Sequence, residues 1–493
     1  MNRYKKANQG IHAPEDLKEK VITSHRPARR GRPALWGAAA AVLAVCILAG
    51  AVLWPGGRPG ANQPGASLTV HPLAIAQAVY PETVPFPDLA DYRDAAGQED
   101  YDAYSEALSA WDRAERKRQA QPVDNESMAG YYGATMAEFL GDNGGENAVY
   151  SPLNLYLALA MLAECTDGDS RGQILDLLGV DSIEALRTQA SALWNANYLG
   201  NGGAAATLAN SLWLREGQSY VQETVDRLAD TYYASVYRGV MGSDEMDQAL
   251  QDWLNEQTGG LLEEYANGVE TDPDTVLALA SAIYFKAAWS DKFDQGDTVQ
   301  QTFHGTAGDV ETDFMRQTIS EGSCYWGESF SAVAKEFSSG GEMWLILPDE
   351  GTAPEDLLAG SELTDFLLAG KSWENKGTAE IHLSMPRFDV AAETDLIGGL
   401  QELGVTDVFD TGLADFTPVL GEGEEASVTQ ATHAARVKVD ENGCEGAAYT
   451  IIMVGEAALL EKDEVDFVLD RPFLFAVTSQ TGQLLFVGIV NQV

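Results

Sequence analysis

A serine in a glycine-containing turn is the first residue whose setting suggests catalysis. Residues 168–172 read Gly-Asp-Ser-Arg-Gly, which matches the G-x-S-x-G pattern in which a strand-to-helix turn exposes a nucleophilic serine. That chemistry requires a strand before the turn, and the residues before Gly168 favour a helix. We therefore interpret this stretch as a turn between two helices, with Ser170 as a helix cap, and predict no hydrolase site.

The other residue types that carry enzymatic chemistry are scattered along the chain. There is no H-E-x-x-H or G-x-x-x-x-G-K-[ST] motif, and no two cysteines are spaced as C-x-x-C. This dispersion predicts no metal site, no cofactor and no disulfide framework, although one incidental disulfide stays open. The residues in question are His12, His25, His71, His304, His382, His433, Cys46, Cys165, Cys324 and Cys444.

A segment near the C-terminus combines small side chains with alternation. Successive side chains of a strand point to opposite faces, so one face of residues 444–454 would carry small or apolar groups alone. That face consists of Cys444, Gly446, Ala448, Thr450, Ile452 and Val454, and the other of Glu445, Ala447, Tyr449, Ile451 and Met453. The pattern predicts a strand with one face that can be buried, and an ordinary exposed Gly/Ala-rich strand is the alternative.

Helical patterns dominate the first half of the main body and strand patterns the second. Ser151 and Pro152 form a helix start, and the residues that follow are apolar on almost every side, which predicts a buried helix. The predicted helices are 99–118, 154–164 and 171–178; the predicted strands are 275–289, 343–348, 473–479 and 484–490. This order is typical of an α+β fold with large antiparallel sheets.

Charge is distributed unevenly along the 493 residues. The formal net charge is −44; residues 1–33 carry nine basic and three acidic side chains, a balance of 9 − 3 = +6, so the rest carries −44 − 6 = −50. An acidic body of this kind argues against binding to nucleic acid or to anionic lipid.

Four regions divide the chain. Residues 1–33 form a basic tail, 34–54 a run without charged side chains, 55–122 a Pro/Gly-rich linker followed by an acidic stalk, and 123–493 the main domain. A helix of 21 residues spans about 30 Å, the thickness of a bilayer core. The basic tail predicts a signal anchor with a cytoplasmic N-terminus and an exported body, and a cleaved signal peptide that releases the body is the alternative.

Several blocks resemble the serpin family, in order, over residues 123–493. They are Asn-Ala-Val-Tyr-Ser-Pro-Leu (147–153), Ala-Ile-Tyr-Phe-Lys (282–286) with Trp289, Met-Pro-Arg-Phe (385–388), residues 403–409 with 414–416, and Asp-Arg-Pro-Phe-Leu-Phe (470–475) with 485–491. The resemblance implies an α+β serpin fold with three β-sheets, about eight to nine helices and an exposed reactive-centre loop, preceded here by one transmembrane helix.

Residues 441–450 resemble the hinge of inhibitory serpins, written E-x-G-[TS]-E-A-A-A-x-T. The matching positions are Glu441, Gly443, Glu445, Ala447, Ala448 and Thr450. Cys444 stands at the Thr/Ser position, Gly446 replaces an alanine, and Tyr449 is larger than usual. The resemblance implies that a protease attacks the loop, becomes acylated, and is trapped when the cut loop inserts into the main sheet. Gly446 and Tyr449 are expected to slow that insertion.

The resemblance also locates the reactive bond within a few residues. Counting about seventeen residues from the hinge glutamate gives Ala457-Ala458, and Leu459 or Leu460 are the alternatives. The first choice suits an elastase-like or subtilisin-like protease, and the leucines suit a chymotrypsin-like one. The loop contains no arginine, which makes a trypsin-like target less favoured.

Further site residues follow from the resemblance. Asn154, Ser281 and His433 are expected to form a polar cluster under the main sheet, with amide and hydroxyl exchanged relative to the usual pattern. Trp289 is expected beneath the sheet opening, and Arg316 is expected to pair with Glu441.

The sequence thus predicts a protease inhibitor and not an enzyme. Its expected partner is a serine, or else a cysteine, protease held in a covalent complex, and the protein is expected to be a bacterial, membrane-anchored monomer with an extracellular body. A noninhibitory serpin acting as an extracellular binding or adhesion module is the alternative.

Overall fold

The computed structural model describes residues 71–81, 83–93, 97–200, 204–444 and 464–493. The predicted membrane anchor at 34–54 and the loop residues 445–463 lie outside these ranges. Within the described part of the chain, no helix is both long enough and apolar enough to cross a bilayer.

Helices surround the sheets, and their ends follow local sequence signals. Ser151 Oγ accepts a hydrogen bond from Asn154 N at the start of the third helix, and Gly179, with φ of 69°, ends the fourth, as predicted. The α-helices are α1 (Tyr101–Gln119), α2 (Met128–Leu140), α3 (Pro152–Cys165), α4 (Gly168–Leu178), α5 (Ile183–Asn197), α6 (Gln222–Thr231), α7 (Asp244–Gln257), α8 (Glu263–Ala266), α9 (Glu362–Ala369), α10 (Ile397–Glu402) and α11 (Thr417–Leu420). The described residues thus contain eleven α-helices, of which α8, α10 and α11 are short.

Ser170 lies in the first turn of α4, and the expectation that it caps a helix was wrong. The N-cap is Asp167. Ser170 is buried and its hydroxyl accepts a hydrogen bond from Asp415 N at 3.1 Å. The side chain therefore joins α4 to the 410–416 loop.

The strands form two hydrogen-bonded sheets among the described residues. They are β1 (Ala74–Ala76), β2 (Ala148–Tyr150), β3 (Leu199–Gly200), β4 (Ala205–Arg215), β5 (Ala234–Gly239), β6 (Leu277–Ala288), β7 (Val299–Gly305), β8 (Gly308–Trp326), β9 (Phe330–Glu336), β10 (Glu342–Pro348), β11 (Lys376–Pro386), β12 (Phe388–Asp395), β13 (Thr432–Val439), β14 (Gly443–Cys444), β15 (Glu464–Val468), β16 (Phe473–Thr478) and β17 (Leu484–Val490). The first sheet runs β1-β5-β4-β6-β14-β13-β12 with β3 on β4, and the second runs β15-β11-β8-β9-β10-β16-β17-β2 with β7 on β8.

The prediction of three sheets was wrong for the described residues because β8 is long. Its 19 residues pair with β7 near one end, β11 along the middle and β9 near the other end. One continuous strand therefore joins ladders that would otherwise be separate sheets.

The N-terminal stretch that the sequence assigns to a linker and stalk packs on this body. β1 pairs antiparallel with the edge strand β5, and Val79 N donates to Ala229 O. Tyr80 then stacks on Trp194 with ring centroids 5.5 Å apart, and lies 6.3 Å from the ring of Tyr233. The 71–80 arm thus covers the edge of the first sheet.

The helix predicted at 99–118 is present as α1 and is docked by one arginine. Arg118 donates to the carbonyl oxygens of Asn195 and Tyr198, both at 2.6 Å, and pairs with Glu115 in its own helix. Because both acceptors lie at the C-terminal end of α5, the arginine also satisfies carbonyls that a helix end leaves without intrahelical partners.

We expect Tyr80→Ala to destabilise the protein and release the 71–80 arm. Loss of a stacked, half-buried aromatic ring should lower the free energy of unfolding by about 1–2 kcal/mol, measured by urea unfolding, and should speed proteolysis between residues 71 and 100. Val79→Ala is the matched control, because Val79 is 56% exposed. Equal effects of the two substitutions would contradict aromatic docking.

Candidate functional site

The centre of the first sheet holds the start of the predicted hinge. Gly443 and Cys444 of β14 pair antiparallel with Ala288 and Ala287 of β6, and Cys444 also pairs with Val439 of β13. Neighbouring strands lie about 4.8 Å apart. Two strands that both pair with β14 therefore stand about 9–10 Å apart there, with the width of one strand between them.

The two faces of β6 meet different surroundings. Ile283, Phe285 and Ala287 belong to the main hydrophobic core. Ala282 belongs to a second core, which it shares with Trp253 of α7. Because residues directly opposite in an antiparallel pair share a face, Cys444 opposite Ala287 lies on the main-core side, and it is buried as the sequence pattern predicts.

Gly443 is required by a close backbone approach. Its φ is 159°, and a Cβ on it would overlap the carbonyl oxygen of Ala287. A larger residue would push β14 away from β6 and break their pairing.

Backbone and indole groups hold the chain just before β14. Trp289 N donates to Asn442 O and Trp289 Nε1 to Asp440 O, both at 2.9 Å, and Phe293 N donates to Glu441 O at 3.2 Å. Trp289 is almost fully buried and stacks on Phe337 with ring centroids 4.9 Å apart. The tryptophan predicted beneath the sheet opening therefore contacts the hinge directly.

The carboxylate of Glu441 is buried and paired, but not with the predicted arginine. It accepts from Arg387 Nε at 3.0 Å and from Thr298 Oγ1 at 2.7 Å, and Arg387 also pairs with Asp313 at 2.8 Å. Burial alone would raise the pKa of Glu441, but the hydrogen bonds from Arg387 and Thr298 outweigh it and lower the pKa below its usual value.

The expected Arg316–Glu441 pair was wrong. Arg316 extends along the exposed surface of β8 and donates to Gln301 of β7 at 2.9 Å. Arg387 lies between β11 and β12, and its guanidinium reaches Glu441 of the hinge. The relevant signal was present in the sequence, since Arg387 is the basic residue of the Met-Pro-Arg-Phe block.

A polar cluster joins both flanks of the β14 position to the start of α3. Asn154 donates through Nδ2 to Ser281 O at 3.1 Å, and Ser281 Oγ lies within hydrogen-bond distance of Oδ1 of both Asn154 and Asn210. On the other flank, Nε2 of His433 accepts from Ser151 N at 3.0 Å. The amide and hydroxyl of Asn154 and Ser281 meet as the sequence analysis expected.

His433 joins this cluster through Ser151 and not through the side chains of Asn154 or Ser281. Ser151 was predicted only as a helix cap, and Asn210 was not predicted at all. Asn210 is buried on β4, opposite Ser281, and also donates to Tyr232 O at 2.8 Å. Its position shows only in the strand pairing, so no local sequence signal marks it.

His433 is buried in a setting that keeps its ring neutral. Burial lowers the pKa of His433 to about 4. An acceptor nitrogen on a neutral ring is what Ser151 N requires, and protonation would remove that acceptor.

A cavity of about 250 Å3 lies at the far end of the gap from β14. Its walls include Asn154 and Leu159 of α3, Leu279 and Ser281 of β6, and His433 of β13. The cavity shows that space remains between β6 and β13 beside the polar cluster.

The remaining predicted site residues lie outside the described residues. These are the hinge positions Glu445, Gly446, Ala447, Ala448, Tyr449 and Thr450 and the candidate bond residues Ala457, Ala458, Leu459 and Leu460.

Comparison with known proteins decides the family. The family model described as "Serpin (serine protease inhibitor)" matches residues 133–493. The chain belongs to the serpin family. It is 29% identical over 360 residues to Serpin-ZX of Arabidopsis thaliana, covering 70% of this chain and 91% of that protein. It is also 29% identical over 356 residues to leukocyte elastase inhibitor A of Mus musculus, covering 70% and 92%.

A solved serpin has the same fold. The native structure of the thermophilic serpin tengpin superimposes with a TM-score of 0.67 at 23% identity, covering 76% of this chain and 96% of that one. The α+β serpin fold expected from the sequence is thereby confirmed.

The buried ring of His433 should make this serpin sensitive to acid. The folded pKa of about 4 lies below the ordinary 6.5, so the unfolded chain binds the proton more tightly, and this contribution to stability is complete above pH 6.5 and lost as the pH falls towards 4. The loss should be about 3 kcal/mol. Urea unfolding of wild type and His433→Gln between pH 4 and 7 would measure it, and parallel curves would contradict the assignment.

Arg387 should matter for stability and Arg316 should not. Arg387→Met leaves the carboxylate of Glu441, whose side chain is 4% exposed, without its cationic partner, and should cost about 2–3 kcal/mol. Arg316→Met on the exposed surface should change stability by less than about 0.5 kcal/mol. Thermal unfolding of the two variants decides between the pairings, and the reverse order would restore the Arg316–Glu441 pair.

Proposed function

We propose that this serpin is a suicide-substrate inhibitor of serine proteases and has no catalytic activity of its own. The protease serine attacks the reactive bond, an ester to the serpin forms, and the amine of the C-terminal fragment leaves. The freed N-terminal part of the loop then inserts between β6 and β13 and carries the acyl-enzyme with it. Cysteine proteases, which would form a thioester, are a further target class.

The position of β14 is the observation that carries this proposal. Gly443 lies opposite Ala288 and Cys444 opposite Ala287. Continuing that register would bring Ala448 opposite Ile283 and Thr450 opposite Ser281. The small-residue face of 444–454 would thus face the main core, where a bulky or charged side chain is costly.

The same register would bring Thr450 to the polar cluster. Val439 of β13 pairs with Cys444. If the inserted strand kept that register along β13, Thr450 would lie opposite His433. A hydroxyl would arrive between Ser281 and His433, two side chains able to hydrogen-bond with it. The outward Tyr449 would come opposite Ala282, where α7 covers the sheet, so α7 must shift and insertion should be slowed there.

The length of β6 favours the first choice of reactive bond. Its 12 residues, Leu277–Ala288, offer partners to residues 443–454, a strand of about 40 Å. Ala457 lies three residues beyond that strand, and Leu459 and Leu460 lie further. A cut at Ala457-Ala458 would therefore leave the fewest residues between the end of the inserted strand and the attached protease. That bond suits an elastase-like or subtilisin-like enzyme.

The proposed setting is the outer face of a membrane. Residues 34–54 would anchor the chain with residues 1–33 in the cytoplasm and the body outside, and cleavage after the apolar run would release a secreted form. Membrane fractionation of the full chain, followed by protease digestion of intact cells, tests the location of the body.

Mixing the purified protein with pancreatic elastase and with a subtilisin tests inhibition. We expect a covalent band that survives boiling on a denaturing gel, and a released peptide that begins at Ala458 by mass spectrometry. Ala448→Arg should abolish the band and leave cleavage intact, whereas Ala447→Arg, on the outward face opposite Tyr284, should retain much of it. Clean cleavage without the band across a wider protease panel, with no rise in melting temperature after cleavage, would favour a noninhibitory binding module instead.

A further inference from the structure

A lysine is buried beside the hinge between two aromatic rings. Lys335 of β9 is 4% exposed. Its Nζ lies 4.3 Å from the ring centroid of Phe293 and 5.3 Å from that of Trp289. Cations at these distances are attracted to the faces of aromatic rings, and more strongly where water is excluded.

The ammonium group has neutral hydrogen-bond acceptors. Nζ donates to the carbonyl oxygen of Asp291 at 2.6 Å and to Oε1 of Gln317 at 2.5 Å. Among the described residues no carboxylate forms an ion pair with it. A buried cation without a counter-ion is costly, so its presence here calls for a local reason.

The charged and titratable groups around Lys335 are few. From the 289–294 loop the carboxylate of Asp291 acts on the ammonium at a distance, with its side chain exposed to solvent. Lys292 and Asp294 are the other ionisable residues of that loop, and the Asp294 carboxylate accepts a hydrogen bond from Gly296 N at 2.8 Å. The neighbours on the adjoining strands, Gln317 of β8 and Met343 of β10, are uncharged.

The two rings that Lys335 contacts belong to two of the residues that hold the hinge. Trp289 donates to the carbonyls of Asn442 and Asp440, and Phe293 N donates to that of Glu441. Asp291 O, which Lys335 binds, lies between them in the chain. The Lys335 ammonium therefore contacts both ends and the middle of the 289–293 loop, which holds the hinge.

We propose that Lys335 is a positioning residue for the hinge, holding Trp289 and Phe293 in the arrangement that grips residues 440–442 while the loop beyond them inserts. This assignment rests on the proposed inhibitory function only in taking residues 440–442 as the fixed base of an inserting loop. The grip itself can be measured in the free protein.

Titration of Lys335 should change the global stability and the hold on the hinge in opposite directions. Burial lowers the pKa of Lys335 to about 8, with Asp291 opposing that shift. Between about pH 8 and the ordinary 10.5, the unfolded chain holds the proton and the folded chain does not, so the contribution of Lys335 to global stability rises with pH. The hold of Trp289 and Phe293 on residues 440–442 depends on the charge of Lys335, so it must weaken as the pH rises over the same range.

Amide hydrogen exchange of the full chain, read by mass spectrometry on peptides covering residues 286–298, tests this. At pH 7 we expect the backbone amides of Trp289 and Phe293 to exchange about threefold to tenfold faster in Lys335→Met than in wild type. The melting temperature of the variant should not be lowered. Raising wild type to pH 9.5 should produce the same loss of protection after correction for intrinsic exchange, and the Met variant should show no such pH effect.

Two further variants complete the test. Lys371→Met is the control, since Lys371 is half exposed and pairs with Glu336 and Glu342 of the neighbouring strands; it should leave both amides protected. Lys335→Gln replaces the Met variant if that fails to fold. Unchanged protection of the Trp289 and Phe293 amides in the Lys335 variants would overturn the proposal. This outcome does not depend on whether the protein inhibits proteases. If inhibition is found, Lys335→Met should also raise the fraction of cleaved serpin without complex.

Discussion

The one-strand gap between β6 and β13 is the constraint on which the rest of the site depends. Both strands pair with β14, and the proposed insertion would fill the rest of the position between them with the chain beyond residue 444. A strand at the centre of a sheet gains partners on both edges, so filling such a position is favourable along its whole length. Small side chains at alternate positions, a glycine at the turn into β14 and a neutral histidine beside the gap all follow from that requirement.

The start of α3 explains how the gap can be both defined and adjustable. Ser281 on one flank bonds Asn154, and His433 on the other flank bonds the backbone of Ser151. Both flanks are thus tied to a single helix end, whose first N–H groups need partners from outside the helix. If a hydroxyl arrived there, as the proposed insertion requires, polar contacts could be exchanged for others of similar energy, whereas interlocked apolar side chains would have to unpack.

The sequence predicted the elements better than their connections. The helix at 152–165, the strand at 277–288 and the C-terminal hairpin follow from caps, apolar runs and turn residues, which act locally. The number of sheets was missed because β8 crosses between ladders, and the packing of residues 71–119 was left open because proline- and acid-rich composition resembles a linker. Asn210 was missed, and Arg387 was not recognised as the partner of Glu441, because each acts on a residue far away in the chain and a pattern of neighbours does not record such contacts.

The hinge must satisfy two opposite demands, and the distribution of charge around it shows how. Residues 440–442 have to stay fixed, and they are held by charged hydrogen bonds to Glu441 and by the aromatic residues that Lys335 braces. In the proposed insertion the chain beyond Cys444 would move, and the side chains that would then face the core are uncharged, so that face would bury no charge. The boundary between the two regimes lies at Gly443, where the close approach to Ala287 admits no side chain. The charged and aromatic contacts that hold residues 440–442 thus lie just before Gly443, where the proposed movement would begin, and these residues could stay fixed during insertion.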